Sequence, residues 1–183
     1  MSLDPASPDA ASAVLTRRFY AEMHEIAQRL FSSERKDHTL QPTAVVHEAC
    51  LRLMTTSPLP EIPRAQRLAL AARVLRQVLI DHHRTNAADK RGGQAVRIEL
   101  DPELAGEPDT FADFEPIHRA LERLRSLHER QAEVVTLRVF GGLDMAQVAS
   151  ALRVSKRTVE ADWTVARAWL RRELSDSGHG GGA

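Results

Sequence analysis

One cysteine, Cys50, stands alone among 183 residues. No internal disulfide can form, so nothing points to an oxidising compartment, and Cys50 reads as a small buried apolar residue. Aromatic residues make up only 4% of the chain, and long alternations of β-branched residues are missing, which argues against a sheet-built core. No apolar run approaches the roughly 20 residues that span a bilayer. The opening MSLDPASPDAASA has no cationic stretch leading into an apolar one, the pattern of a signal peptide, so a cytoplasmic location is expected. No glycine-rich loop precedes a helix to cradle phosphates; GHGGGA at 178–183 is a tail with no following helix. Metal binding is not indicated. His82 and His83 are neighbours and splay apart on a helix, and His47-Glu48 lacks a second histidine at the required offset. Asp81 beside the histidines reads as part of a polar helix surface rather than an acid–base site. No catalytic residue, metal or cofactor is expected.

What the sequence has is helix-forming material. Hydrophobic residues are 43% and charged residues 27%, enough to bury a core and keep it soluble, and Ala, Leu, Arg and Glu dominate. The length suits one or two small domains. The net charge is zero, but it is unevenly spread. Residues 1–63 carry −2, residues 64–97 carry +6, residues 98–116 carry −7, residues 117–174 carry +4 and the tail carries −1. Two basic blocks flank an acidic one. A single basic block is ordinarily a solvated helix face; two on separate modules point to phosphate backbones.

The acidic block, IELDPELAGEPDTFADFEP, holds three prolines, one glycine and seven carboxylates: Glu99, Asp101, Glu103, Glu107, Asp109, Asp113 and Glu115. It reads as a linker with at most a short turn. The expected division is a first module over 12–95, the linker over 96–114, a second module over 115–174 and a disordered tail over 175–183. In the first module, apolar spacing predicts helices over 12–35, from Pro42 to about Thr55, and from Pro63 or Arg64 to the late eighties. In the second it predicts helices over 115–127, 129–140, 144–152 and 156–173. The fold class is all-α: two helical modules.

The stretch FGGLDMAQVASALRVSKRTVEADW, from Phe140 to Trp163, carries the most specific signal. Asp144 is a plausible N-cap after Gly141-Gly142. Val148, Ala149 and Leu152 face a core, and the small Ala149 permits close approach of the next helix. Arg153-Val154-Ser155 makes a turn with Val154 inward and Ser155 as the next cap. Val159, Trp163, Ala166 and Leu170 form the buried stripe of the second helix. Outside remain Ser155, Lys156, Arg157, Thr158, Glu160, Ala161 and Thr164. This is the layout of a helix-turn-helix, whose second helix enters the major groove by its N-terminal end. A merely structural pair of helices would not need exposed cations and hydroxyls at that end. Arg153 sits where many such turns have glycine; a left-handed conformation there would cost about 1–2 kcal/mol.

Residues 129–174, with RQAEVVTLRVFGGL, VSKRTVEADW and ARAWLRREL, resemble region four of bacterial sigma-70-type factors of the ECF (extracytoplasmic function) subfamily. Upstream, HTLQPTAVVHEACLRLM (38–54) and LALAARVLRQVLIDHHRTNAADKRGG (68–93) resemble region two of the same family. The resemblance implies a subunit that binds core RNA polymerase, directs it to promoter DNA and helps open the duplex. It implies polymerase contacts from Val45, Glu48, Leu51 and Arg52, although Val45 also falls on the apolar stripe of its helix. It implies −10 DNA contacts from Arg76, His82, His83, Arg84, Asn86, Lys90 and Arg91, and −35 reading by Ser155, Lys156, Arg157, Thr158, Glu160, Ala161 and Thr164, with Arg157 and Lys156 suited to guanine O6 and N7. The acidic linker would enter basic polymerase channels. An anti-sigma factor or another regulator is a further partner the resemblance allows. One departure stands out: RAQRLALAAR, at the start of the third helix, has no aromatic residue to stack on unpaired bases. Strand separation would then fall to a loop pocket and cations. Two alternatives compete: a helix-turn-helix regulator that is not a polymerase subunit, and a helical protein that binds a polymerase component without DNA. The paired basic modules argue against both.

Overall fold

The structure, a computed structural model, describes residues 8–31, 41–56, 62–88, 96–100, 102–105 and 111–178. Helix α1 (Pro8–Leu30), α2 (Pro42–Thr56) and α3 (Arg64–Ala88) form the first module, with α2 packed on both α1 and α3. Their apolar stripes meet: Phe19, Met23, Ile26, Ala27 and Leu30 from α1, Val45, Val46, Ala49 and Leu53 from α2, and Leu68, Ala71, Ala72, Leu75, Val78 and Leu79 from α3 are all buried. Pro42 opens α2, where its missing N–H costs nothing, and the Gln41 carbonyl accepts from Ala44 and Val45 at 2.9 and 3.2 Å. Helix α1 starts four residues before the expected position and ends five before it; Phe31 follows as a turn, and the rest of the expected extension lies outside the described residues.

The second module is α5 (Phe114–Leu127), α6 (Glu129–Val139), α7 (Met145–Leu152) and α8 (Lys156–Gly178). Helix α5 buries Phe114, Ile117, Ala120, Leu121 and Leu124, a stripe at three- and four-residue spacing. His128, with φ −147° and ψ 82°, breaks the chain between α5 and α6. Helix α8 runs on to Gly178, so residues 175–178, expected in the tail, are helical.

The acidic segment departs from expectation. Residues 97–99 form strand β1 (Arg97–Glu99), paired antiparallel with β2 (Phe111–Asp113) in the register Arg97↔Asp113, Ile98↔Ala112, Glu99↔Phe111. A one-turn helix, α4 (Pro102–Ala105), lies between them in sequence. Val96, Ile98, Leu100 and Leu104 are buried, and the Phe114 N–H donates to the Val96 carbonyl at 2.7 Å. The seven carboxylates mask an alternating apolar set, Val96, Ile98 and Leu100, which a short strand can bury on one face. The segment thus contributes core.

The modules also share a core. Helix α3 packs on α5, α6 and α7. Gly141 makes this approach close: a Cβ there would sit 2.9 Å from the Ala72 Cβ and 2.6 Å from the Leu137 carbonyl oxygen. Gly142 has φ +58°, in the left-handed region where glycine is favoured, and lies against the Arg29 guanidinium. No helix among the described residues is long and apolar enough to cross a membrane.

Candidate nucleic-acid interface

The geometry of α7 and α8 follows from local chemistry. Asp144 accepts from the Gln147 N–H at 2.8 Å, and the Gln147 side chain accepts from the Asp144 N–H at 2.9 Å. This reciprocal capping box fixes where α7 begins. At its end Arg153 adopts φ 57° and ψ 41°, the only non-glycine residue with positive φ among those described. The N–H groups of Arg153 and Val154 both return to the Ala149 carbonyl. Ser155 then caps α8, its hydroxyl oxygen accepting from the Thr158 N–H at 3.1 Å and lying 2.7 Å from the Thr158 hydroxyl.

Helix α8 presents two faces. Val159, Trp163, Ala166 and Leu170 are buried. Ser155, Lys156, Arg157, Glu160, Ala161 and Thr164 are exposed, and Thr158 is half-buried. The hydroxyls of Ser155 and Thr158 hold the helix start; Thr164 donates to the Glu160 carbonyl at 2.8 Å. Lys156 lies 3.6 Å from Glu160, an exposed pair of small worth that a phosphate can displace. Arg157 is left with no side-chain partner among the described residues. The helix is braced from behind: Arg130 of α6 donates to both oxygens of the buried Asp162 at 2.5 and 3.3 Å, and the Arg138 guanidinium lies 5.0 Å over the Trp163 ring.

The cationic face of α3 is placed differently. Arg76 is 5% exposed. Its Nη2 donates to Glu122 Oε1 at 2.7 Å and to His118 Nδ1 at 3.1 Å, both on α5. A guanidinium can only donate, so His118 accepts as a neutral imidazole. Burial, and then the Arg76 charge, push the His118 pKa down. The Arg76 hydrogen bond holds Glu122 below the usual carboxylate range, while burial pulls the Arg76 pKa down. Arg73 donates to Glu133 of α6 at 2.5 Å. His83 lies 2.8 Å from Glu115 of α5. Burial of Glu115 favours its neutral form, but the Arg119 hydrogen bond and the His83 charge prevail and keep its pKa low. Of the −10 candidates, Arg76 and His83 are therefore engaged by the second module, and buried Arg76 has no free surface in this arrangement. Arg84 is exposed. Asn86 lies near the end of α3, its side chain outside the described residues, and Lys90 and Arg91 lie outside them altogether.

The polymerase candidates on α2 join a charged network with α3. Arg52 donates to Glu48 Oε1 at 2.5 Å and to Asp81 Oδ2 at 2.7 Å, and His82 lies 2.9 Å from Glu48 Oε2. Arg52 holds Asp81 below the carboxylate range. Asp81 is thus a member of a helix-surface cluster, as its sequence context indicated. Leu51 projects beside it, 63% exposed. Val45 is a correction: at 1% exposure it belongs to the first module's core and offers no surface to a partner, because its apolar stripe faces inward.

Sequence reasoning missed the carboxylates that cover α3, namely Glu115, Glu122 and Glu133, and also His118. The one signal for them was the complement of a +6 block by acidic residues on helices that follow it.

One family model, described as ECF sigma factor, matches residues 6–176 of the chain. No curated protein and no solved structure matches it.

Proposed function

Because the chain belongs to the ECF sigma factor family, we propose that it works as follows: it binds core RNA polymerase and directs it to promoters, where α8 reads the −35 element and α3 engages the −10 element. It acts by binding, in the cytoplasm, and uses no cofactor. The observation that carries this reading is the two-faced α8: a buried stripe of Val159, Trp163, Ala166 and Leu170, and on the open side Arg157 with Lys156, Glu160, Ala161 and Thr164. Such a helix end suits the major groove. Ser155 and Thr158 fix the register of the helix start, an end whose remaining backbone N–H groups suit a phosphate.

The α2 surface of Glu48, Leu51 and Arg52 is the polymerase contact. An exposed leucine beside an ionic network is a surface that a partner can desolvate. Arg76 and His83 are covered by α5, so their engagement with −10 DNA requires the modules to part, and docking on polymerase drives that separation. An anti-sigma factor or other regulator would compete for these same surfaces.

Transcription with purified core polymerase on a genomic promoter pool tests the reading. Initiation at a discrete promoter set is expected with the wild type, and loss of core binding with folded Leu51→Asp and Arg52→Glu. Tight binding of the protein alone to a palindromic operator, with no polymerase-dependent initiation, would favour a conventional helix-turn-helix regulator instead.

A further inference from the structure

Among the seven carboxylates of the acidic block, Glu103 has a distinct set of partners. Its Oε2 accepts from the Trp163 indole N–H at 2.5 Å and lies 3.8 Å from Arg167 Nη1. Two turns along α8 from Trp163, Arg171 donates to the Glu103 and Leu104 carbonyls at 2.8 and 2.9 Å, satisfying the end of α4. The strap is anchored from below, since Leu104, Leu100 and Ile98 are buried. Trp163, Arg167 and Arg171 fall at four-residue spacing, so they form one stripe along α8. That stripe borders the exposed face, because Glu160 neighbours Trp163 and Thr164 neighbours Arg167 at three-residue spacing.

We propose that Glu103 is a positioning residue for −35 recognition: through Trp163 and Arg167 it fixes the rotation of α8, and with it the aim of Arg157 and Lys156. This rests on the reading of α8 as the −35 reader. The indole is held at its N–H by Glu103 and on its ring face by Arg138. A turn of α8 about its axis would carry Arg157 away from a base edge, and it would have to break both contacts and the two Arg171 bonds. Helix α4 is therefore held to α8 as part of the DNA-reading apparatus of the second module.

The test uses holoenzymes assembled with full-length wild type, Glu103→Ala, Glu103→Gln and Arg157→Ala, each selected against a library randomised at both promoter elements. The Trp163 indole N–H resonance of each free full-length chain is recorded in parallel. Glu103→Ala should shift that resonance and lower −35 discrimination about fivefold, as loss of a charge-assisted hydrogen bond allows, with −10 discrimination unchanged. Glu103→Gln keeps an acceptor for the indole and should retain most of the discrimination. A merely structural role would lower use of all promoters alike and leave the −35 preference intact. Wild-type −35 preference in Glu103→Ala, alongside lost preference in Arg157→Ala, overturns the positioning role. Unchanged preference in Arg157→Ala overturns the reading of α8 itself and the positioning role with it. An unmoved indole resonance in Glu103→Ala removes the contact on which the proposal stands.

Discussion

The two cationic surfaces differ in what sits on the other side of them. On α8, Lys156 and Arg157 stand at a capped helix end facing outward, and among the described residues the only carboxylate within salt-bridge reach is Glu160, one turn away. On α3, Arg73, Arg76 and His83 face Glu133, Glu122 and Glu115 across the module boundary. Both blocks look alike as charge counts. One is a free surface; the other turns Arg73, Arg76 and His83 toward an internal interface while Arg84 stays exposed. Local net charge therefore locates where phosphate could bind, and the partner helix decides whether it can.

The sharpest way to break this comparison is to remove what holds the open surface in place. Trp163→Ala should destabilise the second module by about 3–5 kcal/mol, the cost of emptying a buried aromatic site. A thermal melt reads it, and unchanged melting would mean that α8 is rotated from its described orientation. Gly141→Val attacks the covered surface. Its side chain would meet the Leu137 carbonyl, Leu143 and Ala72, so it should cost about 1–3 kcal/mol and increase amide exchange along α3. Exchange unchanged along α3 would show that the modules do not depend on that close approach.

Glu122→Ala should be milder. It leaves the buried Arg76 guanidinium with His118 alone, but half of the Glu122 side chain is exposed, so solvent screens the pair. A loss of about 1–2 kcal/mol is expected from denaturant titration. Acidity probes the same cluster. His118 has a depressed folded pKa, so the unfolded chain binds its proton more readily. The His118 contribution is fully present above its ordinary value near 6.5 and is lost as pH falls through the lower folded value. Glu115, Glu122 and Asp81, also depressed, hold their contribution above the ordinary carboxylate range and lose it as pH drops through their folded values. Stability against pH should therefore fall in two stages, and His118→Gln should abolish the first. The smallest expected effect is at Arg153. Its left-handed backbone carries about 1–2 kcal/mol of strain that glycine relieves, offset by the greater freedom of unfolded glycine. Arg153→Gly should thus stabilise by about 1 kcal/mol or less.

Most of the helices were legible because their apolar residues recur at helical spacing and their ends carry local signals. Asp144, Arg153 and Ser155 could each be assigned from sequence because capping and turn chemistry act within a few residues. The acidic segment was not legible in the same way. Three prolines and seven carboxylates dominated it, and the buried set of Val96, Ile98, Leu100 and Leu104 is too short to show a period. Neutralising all seven carboxylates should consequently cost stability, because Glu103 and Glu115 have partners on α8, α3 and α5. The placement of Arg76 was illegible for another reason. Its partners lie more than 40 residues away, and a long-range pair leaves no trace in local pattern. Val45 shows the opposite error, where the apolar stripe was visible and a surface role was still assigned to a member of it.

The proposed role of the open face of α8 is to choose the −35 sequence. Selection of a promoter library by holoenzymes carrying wild-type or Arg157→Ala protein measures it most directly. Arg157→Ala should remain folded, keep its −10 preference, and lose about 1–3 kcal/mol of discrimination at one −35 base pair. An Arg157→Ala holoenzyme that selects the wild-type −35 sequence with undiminished preference would contradict it.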